Sequence, residues 1–144
     1  MLLTIERVAV LQSVDMFAET PGFVLASIAR ILHEVTVQPG ETFIREGDVE
    51  DTMYVIVDGR VEVRRQGTLI ITLGPGLTVG ELAVLDPEPR SASATALDST
   101  LLFRIDREPF LEAMADRPEI AQAVIRALSR RLREQSRQLA NAER

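Results

Sequence analysis

The feature that most constrains this chain is a succession of short β-rich segments between residues 35 and 106. Turn pairs such as Pro39-Gly40 and Asp58-Gly59 end the segments about every 8–12 residues, which leaves no room for helices between strands. The predicted strands cover residues 35–37, 42–45, 53–57, 61–65, 69–73, 93–96 and 100–105. We therefore expect a jelly-roll sandwich over residues 35–106, in which Asp58-Gly59 closes a β-hairpin.

Apolar residues at helical spacing precede the β-rich region. From Ile5 to Leu32 they recur at intervals of three and four, which predicts helices within residues 1–34 and places His33 at a helix end. Thr20 is a candidate N-cap, with Pro21 at the first helical position.

Helical patterning returns after the strands, over residues 107–144. Asp106 is expected to cap a short helix, and Pro118 to open a long one. The long helix carries a narrow apolar stripe formed by Ala121, Ile125, Leu128, Leu132 and Leu139. Such a stripe either docks on the strands or pairs with another helix. The sequence thus predicts a single α+β domain over residues 1–144, with helices on both sides of the sandwich.

Composition excludes several classes of function. The net charge of −6 argues against nucleic-acid binding, and no apolar run reaches the roughly 20 residues that a membrane span requires. The chain has no cysteine and one histidine, so we expect neither a metal site nor an enzyme, and the chain suits a bacterial cytoplasm. The arginine run of the long helix is interpreted as a solvated face, or as one that meets an acidic surface of a partner; its members are Arg126, Arg130, Arg131, Arg133 and Arg137.

The run from Gly80 to Ala92 carries the most specific chemistry. Gly80 frees the backbone, Glu81 can accept hydrogen bonds from a sugar hydroxyl, and Arg90 offers a planar fork to phosphate oxygens. Between the two charged residues, a short apolar segment can form one helical turn whose N–H groups face an anion. The simpler interpretation is a turn in which Glu81 and Arg90 pair with each other or with solvent.

This run, within an order of helices, strands and helices, resembles the phosphate-binding cassette of the cyclic nucleotide-binding domain family. That family includes the catabolite activator protein and the regulatory subunit of protein kinase A. The resemblance implies that Glu81 binds the ribose 2′-hydroxyl and Arg90 the exocyclic phosphate. The other residues that it implies as ligand contacts are Gly80, Leu82, Ala83, Ser91 and Ala92. The turns Gly47-Asp48 and Asp58-Gly59 match a structural hallmark of the family.

The resemblance implies a regulatory sensor of cyclic AMP or cyclic GMP, with no catalytic cofactor, as part of a larger bacterial protein. Ser91 matches neither residue associated with a base preference in the family, so the base stays open. Family members commonly close the base pocket with the C-terminal helix, for which the candidate lid residues are Leu128, Ser129, Leu132 and Arg133. The alternative is an interaction module of the same fold that has lost nucleotide binding and forms a homodimer through the C-terminal helix.

Overall fold

Two antiparallel four-stranded sheets face each other in the computed structural model, which describes residues 1–142. The strands are β1 (His33–Val37), β2 (Thr42–Ile44), β3 (Thr52–Asp58), β4 (Val61–Arg65), β5 (Thr68–Leu73), β6 (Thr78–Val79), β7 (Ser93–Ala96) and β8 (Thr100–Asp106). One sheet has the strand order β1-β8-β3-β6, and the other has the order β2-β7-β4-β5. The expected sandwich is confirmed. All seven predicted strands form, and the short β6 is an eighth that the sequence did not reveal.

Helices flank the sandwich on both sides in sequence. Before it lie α1 (Thr4–Gln12), a 3₁₀ helix (Asp15–Phe17) and α2 (Gly22–Ala29), and after it lie α4 (Arg107–Asp116) and α5 (Pro118–Ala142). One short helix, α3 (Glu81–Leu85), lies between β6 and β7. The N-terminal helices end at Ala29 rather than near residue 34, so the position predicted for His33 is wrong. His33 begins β1 and pairs with Arg104 of β8. The last two positions of the predicted 107–144 helical region lie outside the described residues.

The start of α2 differs from the prediction by one residue. Pro21 occupies the N-cap position, with φ −57° and ψ 143°, and Gly22 is the first helical residue. The side chain of Thr20 is buried and caps nothing. The fixed φ of proline therefore sets this boundary.

The Asp58-Gly59 turn does not close a hairpin, contrary to the prediction. β3 pairs with β6 and β8, whereas β4 pairs with β5 and β7, so this turn carries the chain from one sheet to the other. Gly59 has φ +103° and lies directly against Thr100. The hairpin forms one turn later, where Gln66 and Gly67 both have positive φ and join β4 to β5. Positive φ at both central residues is the type I′ geometry that suits a two-residue hairpin loop.

The central strands are buried on both faces, which explains why their sequences are continuously apolar rather than alternating. On one face, Tyr54, Ile56 and Leu102 pack between the two sheets. On the other, Val55 and Phe103 pack against the helices. This second layer also contains Phe17 and Phe110, whose rings pack edge to face with their centroids 6.1 Å apart. Burial of each such side chain contributes about 1.5–3 kcal/mol to the free energy of folding. This layer therefore holds the helices against one sheet.

α5 meets the domain along a different stripe from the predicted one. Its buried residues are Ile120, Ala123, Val124 and Ala127, and Leu128 is partly buried against the same layer. The predicted stripe is largely in solvent, since Ile125, Leu132 and Leu139 are 62%, 65% and 67% exposed. Docking of that stripe on the strands is therefore excluded.

Candidate functional site

The predicted ligand-binding run folds around α3, which the hydrophobic core anchors. Val84 of α3 is fully buried and Leu85 packs against the same layer. Arg107 donates from Nη1 to the carbonyl of Leu85 at 2.9 Å and so satisfies the end of the helix. With this face fixed, Glu81 and Leu82 lie on the open side of α3, where Leu82 is 56% exposed.

Gly80 allows the Arg90 side chain to lie against the start of α3. It adopts φ +72°, and a Cβ atom there would stand 2.3 Å from Nη1 of Arg90 and 3.3 Å from the carbonyl oxygen of Thr52. Any larger residue would displace the guanidinium. The structural role of this glycine is therefore to admit Arg90 into the site.

The backbone of Arg90 is fixed by the loop before β3. Its N–H donates to the carbonyl of Asp48 at 2.8 Å, and its carbonyl accepts from the N–H of Gly47 at 2.8 Å. Val49 and Pro89 form a β-bridge beside these bonds. The Gly47-Asp48 turn, interpreted from the sequence as purely structural, thus positions the arginine that we expect to bind phosphate.

The guanidinium of Arg90 is buried and only partly hydrogen-bonded. Its side chain is 5% exposed. Nη2 donates to the carbonyl oxygen of Thr52 at 2.7 Å and to its Oγ1 at 3.0 Å. Nε and Nη1 have no hydrogen-bond partner among the described residues. Buried donors without acceptors are costly, so this guanidinium is ready to receive the oxygens of an anion.

Glu81 is oriented from two sides. Oε2 accepts from Thr78 Oγ1 at 3.2 Å, and Oε1 accepts from Arg131 Nη1 of α5 at 2.7 Å. Glu81 and Arg90 therefore have different partners, and the simpler interpretation that they pair with each other is wrong. An ionised carboxylate has about four acceptor positions, so Glu81 retains the capacity to bind a hydroxyl.

A cleft of about 630 Å³ connects these groups. Its lining includes Gly80, Glu81, Leu82, Ala83, Arg90 and Ser91 of the predicted run, together with Leu128 of α5. Ala92 is partly buried and lies outside the lining, and the Ala83 N–H already donates to the Gly80 carbonyl at 3.1 Å. Cavities of this size accommodate a nucleotide.

Of the candidate lid residues, only Leu128 lines the cleft. Leu132 and Arg133 are exposed and Ser129 is partly exposed, and none of the three belongs to the lining. A second residue of α5, Arg131, contacts the site through Glu81, although the sequence predicted it only as a member of the arginine-rich run. Helical geometry explains the difference, since Arg131 follows Leu128 by three positions and shares its face.

Arg126 and Arg130 of α5 meet acidic groups of the same chain. Glu19 binds Arg130 at 2.7 Å and Arg126 at 3.3 Å, and Asp15 lies 3.7 Å from Arg130. The hydrogen bond from Arg130, supported by Arg126, holds the pKa of Glu19 below its usual value. Asp15 belongs to the 3₁₀ helix and Glu19 follows it, so these pairs connect α5 to residues 15–19.

Within residues 1–142 there is no cluster of histidine, cysteine, aspartate or glutamate side chains that could hold a metal ion. No helix in that range is long and apolar enough to cross a membrane.

The fold and this site define a class of protein. The family model for the cyclic nucleotide-binding domain matches residues 34–117, and the chain belongs to that family. The chain is 32% identical over 137 residues to a CRP-like cAMP-activated global transcriptional regulator of Mycobacterium tuberculosis, which covers 92% of this chain and 61% of that protein. The chain thus spans about three fifths of that relative's length.

Solved structures show the same architecture. The N-terminal domain of a transcriptional regulator from Streptomyces coelicolor superposes with a TM-score of 0.81 at 34% identity, covering 88% of this chain and 94% of that one. The catabolite activator protein of Thermus thermophilus superposes with a TM-score of 0.77 at 28% identity, covering 90% and 63% of the two chains.

Proposed function

We propose that this chain is a cytoplasmic regulatory domain that binds cyclic AMP or cyclic GMP and catalyses no reaction. The observation that carries the proposal is the buried guanidinium of Arg90, which lines the cleft and whose Nε and Nη1 have no hydrogen-bond partner within residues 1–142. The name of the M. tuberculosis relative, a cAMP-activated regulator, supports the same ligand class.

The cleft offers both functional groups that a cyclic nucleotide requires. Arg90 would donate to the exocyclic phosphate oxygens, and Ser91 lies beside it in the lining. Glu81, held by Thr78 and Arg131, would accept the ribose 2′-hydroxyl. Leu82 and Leu128 provide apolar surface for the base. None of these contacts depends on which purine is bound.

The test is calorimetric titration of the unmodified domain with cyclic AMP and with cyclic GMP. We expect a dissociation constant below about 100 μM for at least one of them, because a buried charge-assisted contact and a hydroxyl contact act together. Absence of heat at several hundred micromolar of both ligands would show that the fold has lost this function.

We further propose that α5 reports whether ligand is bound. Arg131 binds the carboxylate that would receive the ribose hydroxyl, so the ligand changes the surroundings of a residue on α5. A ligand shifts a conformational equilibrium only when it contacts the two states differently, and this shared carboxylate provides such a contact. The effector would belong to a larger protein that contains this single domain over residues 1–144. We propose no nucleic-acid contact from the domain itself.

A second function, homodimerisation through α5, is favoured by one observation. Ile125, Leu132 and Leu139 are all more than 60% exposed and recur every seven residues on a helix that extends beyond the core. Exposed apolar residues at heptad spacing are typical of a helix that pairs with another helix.

Leu132→Asp is expected to convert a dimeric domain into a monomer, because it places a charge in the middle of the proposed seam. Analytical ultracentrifugation at about 100 μM protein measures the change. The matched control is Leu69→Asp, which alters an exposed leucine of the edge strand β5 and should leave the oligomeric state unchanged. A monomeric unmodified domain at that concentration would contradict the proposed dimer.

A further inference from the structure

Arg90 has one acidic neighbour that neither the sequence analysis nor the proposed contacts involve. Oε1 of Glu50 lies 3.6 Å from Nε of Arg90, and the Glu50 side chain is 40% exposed whereas that of Arg90 is 5% exposed. We propose that Glu50 is a built-in counterion of Arg90 that makes the cleft select singly charged phosphodiesters over more highly charged phosphates. This inference rests on the proposed function and names the residue that sets its charge selectivity.

The contact neutralises Arg90 without using its hydrogen-bond donors. At 3.6 Å the two groups attract each other, but Nε still has no hydrogen-bond partner among the described residues. A buried guanidinium without a counter-charge would be costly, so Glu50 stabilises the ligand-free site. Because Glu50 is partly in solvent, it remains hydrated and can turn away when a phosphate approaches.

The charges around the cleft favour a ligand with one negative charge. Asp86 and Glu88 line the cleft, and among the described residues neither forms an ion pair with an arginine. Glu81 is compensated by Arg131, which leaves Arg90 and Glu50 as a nearly neutral pair beside two acids. A phosphodiester carries one charge, whereas a phosphomonoester carries close to two at neutral pH. Asp86 and Glu88 therefore repel each additional negative charge that a ligand carries.

The decisive variant is Glu50→Gln, which removes the charge and keeps the shape. We expect its affinity for cyclic AMP to rise roughly three- to tenfold, and its affinity for 5′-AMP to rise more, so that selectivity between the two narrows. The midpoint of thermal unfolding without ligand should fall, because Arg90 loses its counter-charge. The gain in affinity should shrink in high salt, because the effect is electrostatic. Titration calorimetry and thermal unfolding measure these changes.

Two further variants keep the result interpretable. Glu50→Asp retains the charge on a shorter side chain. Its affinity for cyclic AMP and its selectivity over 5′-AMP should lie between those of the unmodified protein and Glu50→Gln. Glu112→Gln removes an exposed carboxylate from α4 and should change neither affinity nor selectivity. If Glu50→Gln weakens binding of both nucleotides, or leaves selectivity unchanged, the proposed role is overturned.

An arm with inorganic phosphate separates this inference from the proposed function. If no variant binds a nucleotide, the proposed function is wrong, yet Arg90 remains a buried cation beside Glu50. Thermal unfolding in increasing phosphate should then still show a larger stabilisation of Glu50→Gln than of the unmodified domain. Equal stabilisation of the two proteins by phosphate would refute the counterion role, whatever the nucleotide titrations show.

Discussion

Replacing Arg90 with alanine is expected to weaken cyclic nucleotide binding by roughly thirty-fold to several thousand-fold. The substitution leaves a desolvated phosphate without its charged partner, which costs on the order of 2–5 kcal/mol. Arg90 lines the cleft, and its buried Nε and Nη1 have no hydrogen-bond partner among the residues described, so the loss falls directly on the phosphate contact. Titration calorimetry with the better-binding nucleotide measures it.

Two controls distinguish lost binding from lost folding. Arg117→Ala removes an exposed arginine at the junction of α4 and α5 and should bind normally. Arg90→Lys retains the charge but loses the planar fork, so its affinity should lie between those of the unmodified protein and Arg90→Ala. Thermal unfolding of each variant must show a folded domain. A folded Arg90→Ala domain that binds as tightly as the unmodified one would remove Arg90 from the site.

Gly59→Ala is expected to reduce the free energy of unfolding by about 2–5 kcal/mol. A left-handed backbone costs a residue with a Cβ about 1–2 kcal/mol, and overpacking adds about 1–3 kcal/mol. The added Cβ would lie 2.4 Å from Thr100 Oγ1 and 2.8 Å from Thr100 Cα, and φ is +103°. The side chain of Thr100 is fully buried, so the chain has little freedom to relieve the overlap. Chemical denaturation monitored by circular dichroism measures the change.

Gly67→Ala is the matched control for this prediction. Gly67 also has positive φ, +80°, but a Cβ there would meet nothing within 4 Å. Gly67→Ala should therefore reduce the free energy of unfolding only by the backbone contribution, about 1–2 kcal/mol. If the two variants lose equal stability, the close packing of Gly59 against Thr100 does not add to the cost of the Gly59 substitution, contrary to this prediction.

The strands were predictable because their pattern is local. Short β-branched runs between turn pairs located all seven predicted strands. Their partners were not predictable, since Asp58-Gly59 has the composition of a hairpin turn but connects the two sheets. The two outcomes differ in strand pairing, which depends on contacts between distant parts of the chain, such as that of Gly59 with Thr100, 41 positions away.

The candidate site was predictable to the extent that it is contiguous in sequence. Gly80, Glu81 and Arg90 lie together around one cleft, as the motif predicts. Their supporting residues could not be identified, because Thr52 is 38 positions from Arg90 and Arg131 is 50 positions from Glu81. Periodicity also failed on α5. The buried face of α5 combines large and small residues, such as Val124 and Ala127, while other large apolar residues of the helix are exposed.

The ion pairs that Glu19 forms with Arg126 and Arg130 of α5 also have a consequence for proton linkage. Because Arg130 and Arg126 hold the pKa of Glu19 below its usual value of 4.5, folding disfavours its protonation. The stabilisation from this carboxylate is then fully present above the unfolded pKa, and it is lost only as pH falls through the lower folded value. Throughout the neutral range Glu19 remains charged and continues to hold α5. Changes of pH within the neutral range therefore do not release α5 from Glu19. A change in the position of α5 at neutral pH must originate elsewhere, and the candidate is the Arg131–Glu81 contact beside the cleft.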